Sequence, residues 1–311
     1  MRVIIEAMRR PACVFVWLLA GMVLPHQAAA QTGRARTEWV ALAKSGFTVP
    51  EGAKAIDLLV EMNALLASPD PVLRDDVAFS AAERWIVRDG RVAPDEMRRL
   101  LQLWTANLQD GLDAPGDDRI FKRSFSALSL SLIAACDLTA PFLETSEVAT
   151  FFDRTLDYFN RERDLRGFDP ARGWMHSPGH TSDALKFLAR NPKLPAGSDA
   201  RLLESVQRKI EAADTVFTWG ENDRMALALQ SMVRRADAAP ATLDAWMGRW
   251  LEEYKALWAD GPQVDPRRFA RVENARQVMR SLHAALAMEA SPTSNGDTAR
   301  KTVLAGLAKM R

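Results

Sequence analysis

The chain has 311 residues, 48% hydrophobic and 26% charged, with a formal net charge of +1 that becomes −1 once residues 1–30, with three Arg and one Glu, are set aside. A near-neutral chain of mixed charge lacks the basic footprint of a nucleic-acid or anionic-membrane binder, so no nucleic-acid partner is expected. Its two cysteines are Cys13 and Cys136, which leaves no disulfide possible within 31–311.

Arg2, Arg9 and Arg10 flank the start of an apolar run from Ala12 to Leu24, and Ala28-Ala29-Ala30 places small residues before Gln31. This layout predicts a secretory signal peptide over 1–30. The run is about 13 residues, short of the ~20 that span a bilayer. Residues 31–311 are then expected as one exported domain, periplasmic or extracellular, with no stable membrane insertion after signal cleavage.

Helical periodicity dominates from Arg36 onward, and β-branched residues never alternate over a strand length. Pro50-Glu51 opens a helix carrying Ile56, Leu59, Met62 and Leu66. Val77, Ala81 and Trp85 mark the next, which Asp89-Gly90 ends. Pro94-Asp95-Glu96 starts a third, with Met97, Leu100, Leu101 and Trp104 on one face. Further helical units are predicted over 118–136, 145–164, 174–190, 199–214, 221–236, 241–258, 266–289 and 297–310. Cys136 ends an apolar run and reads as a buried small hydrophobe. Helix starts near 51, 94, 146, 199 and 241 recur about every 40–50 residues, the two-helix period of HEAT-type repeats. The predicted fold is all-α, with HEAT-like antiparallel helical repeats in an α/α superhelix. A closed α/α toroid fits the same spacing.

Three of the four histidines lie beyond residue 30, and two of them share the stretch Gly173-Trp174-Met175-His176-Ser177-Pro178-Gly179-His180-Thr181-Ser182-Asp183. On a continuous helix His176, His180 and Asp183 would share a face. Two imidazoles and a carboxylate so placed could hold zinc or act as an acid–base pair with an orienting acid. They are the candidate catalytic and metal-ligating residues. Pro178 complicates the geometry, because proline suits the first turn of a helix and breaks its interior. Ser177 as N-cap and Pro178 as first residue would leave His176 before the helix and His180 in its first turn.

Nearby, Asp164 and Arg166 are candidates for the same pocket, with Trp174 beside the imidazoles, whereas Arg161 and Arg163 read as a solvated helix end. Arg123 sits at the mouth of an otherwise apolar helix and could face a cleft, as could Ser124. Glu221, Asp223 and Arg224 open another helix. The two acids could complete a site or simply complement the helix dipole. His283 lies among Leu282, Leu286 and Met279 and reads as a satisfied histidine. Trp246, Trp250 and Trp258, with Tyr254, follow helical spacing. Packing between helices is the expected role, and an aromatic sugar-binding face is the alternative. No phosphate-cradling loop, nucleophile elbow or Cys–His pair is present in the sequence.

Arg163-Asp164-Leu165-Arg166-Gly167 followed by the Gly-Trp-x-His-x-x-x-His-x-x-Asp string resembles the bacterial family catalogued as domain of unknown function 2785. Arg123-Ser124-Phe125-Ser126 and Glu221-x-Asp223-Arg224 look like its other polar landmarks. The resemblance covers most of the chain after about residue 50. It implies a helical-repeat fold and this map of polar residues, but no reaction. Pro178-Gly179 departs from the small helix-compatible residues expected there. Three functions follow as expectations. The first is an exported protein whose His/Asp/Arg pocket (His176, His180, Asp183, Arg166, Arg123) binds a small molecule or an envelope component. The second is a metal-dependent or histidine-based hydrolase of a cell-envelope or imported substrate. The third is a purely structural scaffold.

Overall fold

The computed structural model describes residues 33–112, 116–259, 261 and 263–310. The expected signal peptide, and Asp113, Ala114 and Pro115 of one turn-rich loop, lie outside the described residues. The described chain is all-α but for one small hairpin. Its helices are α1 (Arg36–Lys44), α2 (Ala55–Met62), α3 (72–88), α4 (Pro94–Asn107), α5 (Arg119–Thr139), α6 (Thr145–Arg161), α7 (Ser177–Arg190), α8 (Ser198–Glu211), α9 (Glu221–Val233), α10 (Pro240–Leu257), α11 (Pro266–Ala287) and α12 (Ser294–Ala308). Within α3, Val72–Phe79 and Glu83–Arg88 carry the wider i→i+5 hydrogen-bond pattern on either side of Ser80–Ala82.

Local chemistry sets the helix boundaries. Pro94, Pro240 and Pro266 occupy first-turn positions, where a missing N–H costs nothing. Asp265 and Thr293 cap α11 and α12 by accepting from Arg267 N and Gly296 N.

The helices pack in two rows. α5, α7, α9 and α11 each pack on the next, and α4, α6, α8 and α10 pack against them from one side. A helix in the first row is covered on nearly every face, which is why α5 is buried from Ile120 through Ala134 with few interruptions. Second-row helices such as α6 are one-sided: Val148, Phe151, Phe152, Leu156 and Phe159 face inward. Trp85, Trp104 and Trp246 are the largest fully buried side chains.

Two expectations change here, those for Cys136 and for the start of α7, and the alternative of an aromatic face falls. Cys136 is only half-buried on α5. Trp246 and Trp250 pack in the core while Trp258 is 44% exposed, so these three present no common aromatic face. The helix foreseen from residue 174 starts at Ser177, and before it runs a hairpin of β1 (Phe168–Asp169) and β2 (Gly173–Trp174). A two-residue strand has no length over which alternation could be read.

Candidate functional site

The hairpin is built by a buried arginine. Asp169 folds the turn by accepting from Ala171 N and Arg172 N, both at 2.9 Å. Arg74 of α3 is fully buried, with its guanidinium 4.2 Å and 4.7 Å from the Phe121 and Phe125 ring centres. It donates to Ser68 O and to Arg172 O, each at 2.8 Å, and lies 2.8 Å from Asp75. Gly173, at φ +76°, passes so close that an added Cβ would stand 2.9 Å from Arg74 Nη2. The hairpin is thereby pinned to α3.

The chain leaves β2 and stays anchored: Met175 N donates to Gly167 O at 2.8 Å and His176 N to Arg166 O at 2.9 Å. His176 then takes a left-handed conformation (φ 42°, ψ 36°) and caps α7. A left-handed non-glycine residue is strained and persists only where its surroundings enforce it. Here the imidazole folds back over Gly179. A Cβ at residue 179 would lie 2.3 Å from His176 Cε1. The Pro178-Gly179 departure thus has a physical reason: proline is tolerated in the first turn, and glycine makes room for the ring. Gly179→Ala is expected to destabilise the fold by about 1–3 kcal/mol through overpacking. Urea unfolding checks this, and an unchanged midpoint would contradict it.

His180 follows one turn later. Its Nδ1 is 2.8 Å from Ser124 Oγ, and that hydroxyl donates its proton to Met175 O, so Nδ1 carries the hydrogen. The two imidazoles meet edge to face at 5.3 Å, and Phe125 lies 5.0 Å from His180. Burial, with the charge of Arg224 nearby, pushes His176 down to about 4. Burial also holds His180 well below the ordinary imidazole range, with His176 and Arg224 adding to it. Both rings are neutral at pH 7.

The expected metal set of His176, His180 and Asp183 does not form. His176 stands outside the helix, so its spacing to His180 is not the spacing of one helical face. Asp183 turns to α9, where it binds Arg224, and to Lys186 at 3.2 Å. Among the described residues no group of three or more His, Cys, Asp or Glu is placed to hold a metal ion. What approaches His176 instead is Glu221, the first residue of α9. Its Oε1 is 3.9 Å from His176 Nε2, and its Oε2 accepts from Trp219 N at 2.8 Å. Burial raises the Glu221 carboxyl above its ordinary value.

An aromatic corner covers this pair. Trp174 lies 5.2 Å from His176, Phe168 lies 4.9 Å from Trp174, and Trp219 stands edge-on to Trp174 at 5.9 Å. Trp219 rests on Gly167, where a Cβ would come 2.1 Å from its ring, and it remains 47% exposed. A groove of about 450 Å³ is lined by Gly116, Arg163–Arg166, Ala212–Thr215 and Phe217, close in sequence to Gly167 and Trp219 but with no ring of the corner in its lining.

Other candidates fall elsewhere. Arg166 lines the groove, but its guanidinium is tied to the buried Asp164 carboxylate and to Asp117 O. Asp223 is exposed and accepts from Ser281 on α11 at 2.5 Å, away from the imidazoles. Arg123 does not line a cleft. Its Nε donates to Glu162 at 2.6 Å, and both side chains are fully buried. Burial pulls the Arg123 guanidinium down, but the bonds and charge of Glu162 more than offset this, so its pKa is raised.

Glu162 and Lys209 were missed as participants. Lys209 donates to Glu162 O at 2.6 Å, lies 5.1 Å from the Phe159 ring centre, and is pushed by burial down to about 7.

No curated protein and no solved structure matches the chain. Residues 108–284, the stretch from the end of α4 into α11 that supplies Ser124, Trp174, His176, His180, Trp219 and Glu221, match the family model described as protein of unknown function (DUF2785), and the chain belongs to that family.

Proposed function

We propose that this is an exported binding protein whose helices form a HEAT-like superhelix, with a small molecule or envelope component bound at the Trp219–Trp174 corner. α5, α7, α9 and α11 each pack on the next, and among the described residues no extensive packing joins α10–α12 back to α1–α5, which supports an open superhelix over a closed toroid. The signal-peptide pattern of residues 1–30 supports export, and mass spectrometry of secreted protein is expected to give Gln31 as its first residue. The observation that carries the binding reading is Trp219. A large apolar ring left 47% exposed, yet supported from beneath by Gly167 and from the side by Trp174, is a prepared contact surface.

The hydrolase reading has less support. Asp183 is committed to two cations, Ser124 Oγ to Met175 O, and both imidazoles are buried. A purely structural scaffold gives Trp219 no role. A thermal-shift screen of envelope fragments and small metabolites tests the reading. A ligand at a hundred times its Kd adds about 2.7 kcal/mol to stability, and Trp219→Ala is expected to abolish the shift. Hits that stabilise Trp219→Ala as well as wild type would contradict it.

A further inference from the structure

The ionic groups of the corner are matched in pairs. Arg224 is bound to Asp183, Arg166 to Asp164 and Arg172 to Asp118 and Asp169. Against that background two polar groups stand out. His176 Nε2 is buried and has no hydrogen-bond partner among the described residues. Glu221 Oε1 lies 3.9 Å from it. That separation is too long for a direct hydrogen bond, yet one oxygen atom can lie about 2.8 Å from both.

We infer that the ligand of this corner is a neutral polyol, a saccharide in chemical class, with one hydroxyl held between His176 Nε2 and Glu221 Oε1. The inference rests on the binding reading above and names its ligand. The hydroxyl donates its one hydrogen to the Glu221 carboxylate, and its oxygen accepts from His176 in the Nε2–H tautomer. An anionic group there would be repelled by the Glu221 carboxylate, whereas a neutral hydroxyl is not.

The surroundings suit the rest of such a ligand. A sugar ring presents a C–H face of slight positive character, which the negative face of an aromatic ring attracts. Trp174, Trp219 and Phe168 supply aromatic surface above the polar pair. His176 is 4% and Glu221 1% exposed, so seating the hydroxyl between them requires the corner to open locally, which is part of the inference.

The test is isothermal titration of protein 31–311 with a panel of neutral mono- and disaccharides, and with phosphate, acetate and choline as charged comparators. At least one saccharide is expected to bind. Glu221→Gln is expected to weaken it about tenfold, the loss of one hydrogen bond to a charged group, and Trp219→Ala is expected to weaken it too. Should Glu221→Gln fail to fold, His176→Asn serves instead, because asparagine tolerates the left-handed conformation. Saccharide binding that is unchanged in these variants overturns the inference. Trp219-dependent binding of charged comparators alone overturns the polyol assignment and leaves the binding reading standing. No Trp219-dependent binding anywhere in the panel overturns both.

Discussion

Arg123→Ala is expected to cost about 3–5 kcal/mol, because it strands the Glu162 carboxylate in the interior. Arg123 also donates to Asp110 O at 2.8 Å and Gly111 O at 3.2 Å, so the end of the α4–α5 connection loses its anchor as well. Glu162 in turn accepts from Asp164 N at 2.9 Å, and its carbonyl takes the Lys209 ammonium. Losing the arginine therefore loosens the segment that carries Asp164 and Arg166 into the groove. Replacing both partners together, Arg123→Met with Glu162→Leu, is expected to be far less damaging than either change alone. Removing a buried pair spares its desolvation cost, whereas breaking it leaves an uncompensated charge. Urea unfolding of the two single variants and the double variant measures this. Similar losses in all three would show that the pair itself carries the stability.

Stability against pH is expected to hide two opposing titrations. The His176 imidazole falls from 6.5 to about 4 in the fold because burial disfavours its charged form. Between those values the unfolded chain holds a proton that the folded chain does not. This group's contribution is complete above pH 6.5 and is lost as pH falls towards 4. Asp75 does the reverse. Burial raises its carboxyl from 3.8 to about 6, more than the neighbouring Arg74 lowers it. Its contribution is complete below pH 3.8 and is lost as pH rises through 6. Each group changes stability by about 1.4 kcal/mol per pH unit within its window, with opposite signs, so between about pH 4 and 6 they offset. His176→Asn is expected to make stability fall more steeply with rising pH than in wild type. Asp75→Asn is expected to make it rise more steeply. Unfolding curves from pH 4 to 7 give these difference slopes, and two variants with the wild-type slope would show that neither group titrates as described.

Much of the helix pattern was legible because apolar residues repeat at helical spacing and proline, glycine and capping residues punctuate them. The stretch from Trp174 to Asp183 was also found from its scarce imidazoles. What the spacing could not show was direction. His176 leaves the helix in a left-handed turn, so three residues that would share a helical face diverge. The acid beside His176 comes from α9, 45 positions later in the chain, and only the packing of α7 on α9 brings it there.

The buried charges went unread for a different reason. Arg161 and Arg163 read locally as a solvated helix end, and Glu162 lies between them. Yet Glu162 continues the inward stripe of Thr155 and Phe159, Lys209 continues that of Leu202 and Val206, and Arg74 precedes Val77, Ala81 and Trp85 at helical spacing. A charge that falls on an apolar stripe was a signal of burial available in the sequence. The hairpin that lifts Trp174 over His176 left no such signal, because it is held by Arg74, 98 positions before the Arg172 carbonyl it binds.

The claim that the aromatic corner receives a ligand is tested most directly by the indole N–H resonances of a ¹⁵N-labelled protein. Residues 31–311 contain eight tryptophans, and their signals can be assigned by single substitutions. On titration with the best compound from the thermal-shift screen, Trp174 and Trp219 are expected to shift together, while the buried Trp85, Trp104 and Trp246 stay in place. Shifts confined to Trp258 or to other tryptophans, with Trp174 and Trp219 unmoved at saturation, would contradict it.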